Sequence, residues 1–274
     1  MTKVLKNSFT WALSIITILF TFIPESCFDV FKFCEEIPRE ANIILNRFLT
    51  YIAILILVTI IYTLICRRRT SVTIKGHGYS IKIEYEDIFK KDNCKKVINF
   101  DECFTTKVGS EPSEIKPTSV CGQYLLTHPI DSSQMQTLIA NAGLKPTRSK
   151  SKYQNQTRYE SGRIVPNGEY LLMAFAKLGK DGRGQFFSQD EFLDCLSILW
   201  NEIDKYYCQT DVCIPILCSG LTRVGDKILT QQELLDIIIT SYQLSTYKLK
   251  APYQLYIVCK KNDDFSLQRI GQML

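Results

Sequence analysis

The sequence predicts an α/β protein in two parts: an N-terminal two-helix transmembrane hairpin, then a single α/β domain. Three observations carry this. Two apolar runs without charge, residues 9–23 and 48–66, fall within the first quarter of the chain. From Thr70 onward the pattern changes to short period-two runs alternating with apolar residues at helical spacing. These later runs follow one another as strand, helix, strand, which calls for parallel strand pairs in a sheet with helices on its faces. The 274 residues, 46% hydrophobic and 22% charged, are enough to bury a real core. They suit one ordinary domain plus an extra segment, or two small domains, and exclude collagen-like, disordered and low-complexity chains.

The N-terminal part, residues 1–69, reads as the hairpin, with spans at about 8–25 and 46–66. A bilayer core of about 30 Å needs about 20 helical residues, with about 17 as a lower bound. The second run meets this alone, while the first needs its polar flanks Asn7, Ser8 and Thr10. Lys3 and Lys6 precede the first span and Arg67, Arg68 and Arg69 follow the second. The connector is mostly acidic, with Glu25, Asp29, Glu35, Glu36 and Glu40 against Lys32 and Arg39. Both ends are therefore expected in the cytoplasm, in a multi-pass protein of the cell membrane with a short acidic loop outside. Phe28, Val30, Phe31 and Phe33 suggest that part of the loop lies in the interface. Cys27 and Cys34 can pair only if the loop is not one continuous helix, which would hold them about 10 Å apart. The competing reading is a cleaved signal peptide, with Lys3 and Lys6 as its n-region. Residues 24–27 lack the small-residue pattern expected before a cut, and the second run would still stop transfer.

Eleven cysteines are scattered without a CxxC pair, and only His77 and His128 are available to join them. That spacing does not make a zinc site, so free thiols in a reducing compartment are expected, with no metal and no cofactor.

Residues 70–274 form the second part. Residues 72–74 and 81–85 alternate around Gly76, His77 and Gly78 and read as a hairpin. Residues 96–98 are a brief apolar strand and 170–177 a longer one, followed by a tight turn at 180–184. Ser188 with Glu191, and Thr230 with Glu233, each form the pattern of a capping box ahead of an apolar helical stripe. Residues 212–217 and 254–259 are further apolar strands. Residues 143–163 depart from this pattern. They hold Lys145, Arg148, Lys150, Lys152, Arg158 and Arg163 with one acid, Glu160. The stretch reads as a mobile surface loop, or as a basic lid over an anion or anionic headgroups.

Three places can carry chemistry. At Cys218, Ser219, Gly220, Leu221 and Thr222 a buried strand runs into small residues, which lets backbone amides face an anion beyond a strand's carboxyl end. A plain strand-to-loop turn reads the same way. Asp87, after the 81–85 strand, can accept from the exocyclic amine of a base or cap a helix. Val120, Cys121, Gly122 and Gln123 form a small-residue turn. Neither histidine lies near a plausible nucleophile in sequence, and neither a Walker loop nor GxGxxG occurs.

In this order the elements of residues 74–267 resemble the macro domain, a three-layer α/β/α fold with a mixed sheet that binds ADP-ribose. The resemblance places Asp87 and Ile88 at the adenine, Asn99 on the strand leading to the ribose-side loop, and Cys121, Gly122 and Gln123 in the first phosphate loop. It places Cys218, Ser219, Gly220, Leu221 and Thr222 in the second. Hydrolytic members carry an Asn-rich turn and a glycine run. Here Asp101 and Glu102 occupy the Asn region and the first loop has only Gly122, which favours binding without turnover.

Two membrane helices joined to such a domain, with residues 192–196, 199–207 and 221–223, resemble the transmembrane–macro effectors of bacterial type II Thoeris antiphage systems. The resemblance implies a partner TIR-domain enzyme that consumes NAD and releases an ADP-ribose conjugate of the histidine–ADP-ribose type. The macro domain binds that signal, and the membrane part then disrupts the envelope or arrests growth. A hairpin alone cannot enclose a pore, so a homo-oligomer is expected. Thr50, Tyr51, Thr59 and Tyr62 either line its interface or are merely tolerated. The alternatives are a membrane-tethered ADP-ribosyl hydrolase, and a nucleic-acid tether through residues 143–163. The modest net charge of +5 argues against nucleic acid as a partner.

Overall fold

The computed structural model describes residues 2–29, 38–67, 70–111, 113–220, 222–225, 229–261, 265–267 and 270. The chain falls into two compact units, one within Met1–Arg69 and one within Thr70–Ile270.

The first unit holds helix α1 (Thr2–Phe22), a 3-10 turn at Glu25–Phe28 and helix α2 (Arg39–Arg67). Among the described residues one helix is long and apolar enough to cross a membrane, Arg39–Ile65, with a mean hydropathy of 2.6. Of the two expected spans, the second shows that character among the described residues. Helix α1 begins at Thr2 and so includes Lys3, Lys6 and the polar flanks that its apolar run lacks. Ser8 and Ala12, one turn apart, are fully buried, and Asn7 Nδ2 donates to the Tyr62 hydroxyl on α2 at 3.0 Å. The hydroxyls of Thr50 and Thr59 donate to the carbonyls of Asn46 and Leu55 within their own helix. Val30, Phe31, Phe33, Cys34, Arg68 and Arg69 lie outside the described residues, so the expectations placed on them do too.

In the second unit, strands β1 (Ser71–Gly76) and β2 (Tyr79–Tyr85) make the expected hairpin. Then come β3 (Cys94–Asp101), helices α3 (Val120–Thr127) and α4 (Ser132–Asn141), β4 (Ile164–Asn167), β5 (Tyr170–Leu178) and β6 (Gly184–Phe186). Helix α5 (Gln189–Tyr206), β7 (Asp211–Pro215), β8 (Arg223–Val224), helix α6 (Gln231–Leu244) and β9 (Leu255–Cys259) complete it. The sheet is mixed, in the order β1-β2-β9-β7-β3-β5-β6-β8, with β4 also on β5. Strands β2, β9, β7, β3 and β5 are parallel neighbours. Their carboxyl ends, at Tyr85, Cys259, Pro215, Asp101 and Leu178, therefore share one edge.

Helices cover both faces of the sheet. Strand β5 is buried on both sides, with Leu171, Met173 and Phe175 in the cluster that includes α5 and α6, and Leu172 and Ala174 in the cluster with α3 and α4. Period two sends alternate side chains to opposite faces, so a strand covered on both sides reads as continuously apolar. The stripe Phe192, Cys195, Leu196, Leu199, Trp200 and Ile203 buries one face of α5, and Trp200 Nε1 donates to Ser241 Oγ of α6 at 3.1 Å.

The two expected capping boxes differ. Thr230 and Glu233 form the reciprocal pair at the start of α6. At α5 Ser188 accepts from the Glu191 amide, but the Glu191 carboxylate turns to the Phe187 amide at 2.7 Å and to Lys177 at 2.6 Å. The nearby ammonium of strand β5 draws the carboxylate away from the cap.

Residues 143–163 hold neither helix nor strand. They close onto Glu102, which is 2% exposed. Its Oε1 accepts from Ser151 Oγ at 2.7 Å and from the Leu178 amide at 3.1 Å, and its Oε2 accepts from Arg158 Nη1 at 3.1 Å. The Tyr159 amide donates to the Glu102 carbonyl at 2.7 Å. A buried carboxylate with several charge-assisted partners holds the segment in place.

Candidate functional site at the carboxyl edge of the sheet

Two of the segments singled out in the sequence, after β2 and after β7, follow strands at the shared carboxyl edge, and a third packs beside the first. Asp87 follows β2 and caps a 3-10 turn at Ile88–Lys90, its Oδ1 accepting from the Phe89 amide at 3.1 Å. The Ile88 side chain is 3% exposed and packs with Cys94, Cys213 and Val258, so it offers a ligand only its backbone. Val120, at the start of α3, packs against the same cluster.

Residues 120–123 are the first turn of α3 rather than a loop. Ser119 is the N-cap, accepting from the Gly122 amide at 3.0 Å, and the Gln123 amide donates to its carbonyl at 2.9 Å. The Cys121 side chain is buried among Phe100, Tyr124 and Leu125, and burial pushes its thiol pKa well up. What this turn presents is backbone at a helix N-terminus, where first-turn amides and the dipole favour an anion. Gly122 has its own reason to be there: a Cβ would stand 2.1 Å from the Lys116 carbonyl oxygen.

After β7 the chain must reach β8, which pairs with β6 in parallel, so residues 216–222 cross the carboxyl ends of β3 and β5. The tight step of this crossing falls on Cys218, with φ +61°, and not on Gly220, where a Cβ would meet nothing within 4 Å. Cys218 is buried, and burial raises its thiol pKa. Ser219 and Gly220 are exposed, and Ser219 Oγ donates to the Ile216 carbonyl at 2.7 Å. Thr222 is half-buried beside Gly184 of β6. Leu221 lies outside the described residues.

Asn99 stands two residues before the carboxyl end of β3, half-buried and opposite Met173 of β5. It alternates with Ile98 and Phe100 and so points to the other face of the sheet from α3. The two acids in the Asn region have structural partners. Asp101 Oδ1 accepts from the amides of Cys103 at 2.8 Å and Thr105 at 3.3 Å, and burial raises its pKa. Glu102 holds the 143–163 segment.

Sequence reading missed one feature of this edge. Beyond the end of β3 a cavity of about 520 Å³ is lined by residues of the β3–α3 connection, of α4 and of the 143–163 segment, among them Cys103, Thr105, Lys107, Glu114, Gln136 and Gln156. No local motif marks it, because its walls come from segments far apart in the chain. The histidines stand elsewhere: His77 is in the β1–β2 turn, and His128 packs on Tyr124 and Tyr170 with ring centroids 5.2 and 4.8 Å away. Among the described residues no group of three or more His, Cys, Asp or Glu is placed to hold a metal ion.

Residues 81–260 match the family described as Thoeris protein ThsA, macro domain. The chain is 30% identical over 260 residues to Thoeris protein ThsA of Bacillus amyloliquefaciens (strain Y2), covering 92% of this chain and 84% of that one. Among solved structures it is similar to a point mutant of the Oceanobacillus iheyensis macrodomain, with TM-score 0.47, 12% identity, and 75% and 97% of the two chains covered. It is also similar to the macrodomain of that organism with ADP, with TM-score 0.46, 14% identity, and 74% and 93% covered. With its α/β unit matched across nearly the whole sheet and the alignment running on into the N-terminal helices, the chain belongs to the Thoeris protein ThsA family, and its second unit is that family's macro domain.

Proposed function

We propose that the macro domain binds an ADP-ribose-type signal along the carboxyl edge, and that the chain is a membrane-bound antiphage effector that such binding switches on. The observation that carries this reading is the placement of three separate segments on one edge. Asp87 follows β2, the α3 N-terminus packs beside it, and residues 216–222 cross β3 and β5. At about 4.8 Å per strand, the four steps from β2 to β5 span about 19 Å, which suits an extended two-part nucleotide rather than a compact metabolite. Asp87 keeps one carboxylate oxygen for the exocyclic amine of adenine. First-turn amides of α3 and the exposed backbone at Ser219 and Gly220 face a diphosphate between them, where small residues let it approach. The Thoeris kinship supports a signal made by a partner TIR-domain enzyme from NAD, of the histidine–ADP-ribose type.

The reading includes binding without turnover. Asp101 and Glu102, the acids nearest the expected distal ribose, are engaged by backbone amides, Ser151 and Arg158. It also includes a membrane anchor of two helices. The 21 residues of α1 rise about 31 Å, matching the bilayer core of about 30 Å once its polar flanks are counted. Trp11, Ile18 and Phe22 on α1 and Ile44, Phe48 and Ile60 on α2 are exposed, as lipid-facing side chains would be. Signal binding then favours an assembled state of several hairpins, which must bind the signal more tightly than the resting state does.

The test is calorimetry on the full chain in detergent, titrating ADP-ribose and histidine–ADP-ribose into wild type and Gly220→Glu. A Cβ at Gly220 meets nothing within 4 Å, so the packing leaves room for a side chain there, and a thermal melt of the variant verifies that it folds. Saturable binding of an unaltered ligand, lost in Gly220→Glu, is expected. Absence of binding by the folded chain overturns the reading, and release of free ADP-ribose from the conjugate moves it to a tethered hydrolase.

A further inference from the structure

The two edge strands of the sheet differ in character. An open row of amides and carbonyls pairs readily with another strand, so sheets keep exposed edges short, charged, bulged or broken by proline. At one edge β8 is two residues long. At the other, β1 has six residues, Ser71–Gly76, with no proline and one charge, Lys75. Its register with β2 runs without a bulge from Ser71 opposite Glu84 to Gly76 opposite Tyr79. The Tyr85 amide donates to the Thr70 carbonyl at 3.0 Å, which makes Thr70 and Tyr85 a hydrogen-bonded pair. Such pairs alternate with non-hydrogen-bonded ones along an antiparallel ladder, so Val72, Ile74 and Gly76 bond to β2. Ser71, Thr73 and Lys75 turn their amides and carbonyls outward, and among the described residues no hydrogen bond reaches them.

This edge complements itself. Val72 and Ile74 lie on the core face, where Ile74 is buried, while Thr73 and Lys75 are exposed. A two-fold axis through Thr73 sets β1 antiparallel to the β1 of a second copy. Thr73 then lies opposite Thr73, and Ser71 opposite Lys75, with two backbone hydrogen bonds in each pair, so every outward group finds a partner. Val72 lies opposite Ile74, a pair of β-branched side chains on the core face. The register that centres on Lys75 instead sets two ammoniums side by side and leaves Ser71 unpaired. The chain also restricts where this edge can be. Helix α2 ends at Arg67 and β1 begins at Ser71, and four residue steps reach at most about 14 Å. In the pair about Thr73 the two Ser71 residues are four strand steps apart, again about 14 Å. Pairing at β1 therefore keeps the α2 ends of two copies close.

We propose that β1 is the surface through which two copies of this chain associate, pairing antiparallel about Thr73 so that their two sheets become one continuous sheet. The occupant is a second copy because a single register satisfies the backbone groups, matches the apolar side chains and keeps the charges apart. The proposal rests on the reading of the chain as an effector that assembles in a membrane, and it is independent of what the carboxyl edge binds. A six-residue edge buries less than the roughly 1,200 Å² of a stable interface, so β1 pairing adds to contacts between the anchors and stays reversible.

The experiment is sedimentation equilibrium of the full chain in density-matched detergent, over a concentration series with and without saturating histidine–ADP-ribose. It compares wild type with Thr73→Pro, Thr73→Ala, Ser71→Glu and Ser71→Lys. The Thr73 amide points away from β2, and proline is tolerated on a sheet edge, so Thr73→Pro removes the central outward donor and leaves the hairpin bonds in place. A thermal melt of each variant verifies folding. Thr73→Pro is expected to weaken association by about tenfold or more, the loss of two backbone hydrogen bonds. Thr73→Ala keeps the amide and stays within about threefold of wild type. Ser71→Glu, opposite Lys75 of the second copy, strengthens association, and Ser71→Lys weakens it, each by about two- to fivefold. A wild type that is monomeric throughout, a folded Thr73→Pro that associates like wild type, or Ser71 variants that shift together overturns the inference. Calorimetry on the same samples keeps the two readings apart. Wild type that binds the ligand with any of those results loses only this inference, and wild type that associates as expected but binds no ADP-ribose-type ligand overturns only the reading of the carboxyl edge.

Discussion

Residues 143–163 and residues 216–222 both read from the sequence as polar connections near a ligand, yet the structure treats them oppositely. The first is long, basic and rich in Ser, Asn and Gln, the composition of a mobile loop, and it is pinned. The second is short, begins on a buried strand and follows an apolar run, and its exposed tip at Ser219 and Gly220 is braced by Ser219 Oγ on the Ile216 carbonyl. The difference lies in a residue outside both. Glu102, 2% exposed, gathers Ser151, Arg158 and the Leu178 amide, and ties the long segment to β3 and β5. Order in a loop is set by whether its polar groups find a buried partner, and composition does not report on the partner.

The contrast predicts the mutational pattern. Glu102→Ala takes the acceptor from Ser151 Oγ and the Leu178 amide and one of its acceptors from Arg158, and should cost about 1–3 kcal/mol, as leaving buried donors unsatisfied does. Denaturant melts measure the loss, and limited proteolysis should move to residues 143–163. An unchanged melt would mean the segment is held by something else.

Two glycines separate the first-phosphate turn from the crossing. Gly122→Ala forces a Cβ to 2.1 Å from the Lys116 carbonyl oxygen, and should cost about 1–3 kcal/mol through backbone displacement. Gly220→Ala meets nothing within 4 Å and should stay within about 0.5 kcal/mol of wild type. Equal effects at the two sites would show that the crossing is as tightly packed as the helix start.

At Asp87, cap and ligand contact come apart. Asp87→Ala removes the side chain that accepts from Phe89 and should cost about 1 kcal/mol, whereas Asp87→Asn retains an acceptor and should cost less. Both should weaken ADP-ribose binding if the carboxylate reads the adenine amine. Binding unchanged in Asp87→Asn would confine Asp87 to capping.

The smallest effect is with pH. Burial works against ionised Glu84, but the Lys91 and Lys82 ammoniums outweigh it and hold its pKa below the ordinary 4.5. Its folded-state pKa is depressed, so its contribution is present above 4.5 and is lost as pH falls through the folded value. Lys91→Met should flatten the acid limb of the stability curve below that pH, and an unaltered limb would assign it to other carboxylates.

Much of the α/β architecture was legible because it depends on local signals. The hairpin around Gly76 and Gly78, the apolar runs of β5, β7 and β9, the stripe of α5 and the box at Thr230 are all written in adjacent residues. Helix α4 was not read: it carries an Asp131–Gln134 capping box, but its buried apolar positions, Met135 and Ile139, are too few to announce it. Strands β4, β6 and β8 are four, three and two residues long and exist only through pairing with β5 and with one another. Of the site, the sequence showed which turns are small and which strand ends they follow. It did not show that residues 120–123 are helix, because an eight-residue helix capped by Ser119 has too short an apolar pattern to stand out from a small-residue turn. Nor could it show the cavity, whose walls join residues 103–114 to 153–157.

The most direct test of the central claim, that the carboxyl edge is the ligand site, is hydrogen exchange on the full chain in detergent with and without saturating histidine–ADP-ribose. Protection is expected at residues 86–90, 119–123 and 216–222 together, with residues 143–163 already protected before ligand is added. Protection confined to other surfaces, or none at these three segments under conditions where calorimetry reports binding, would contradict the account.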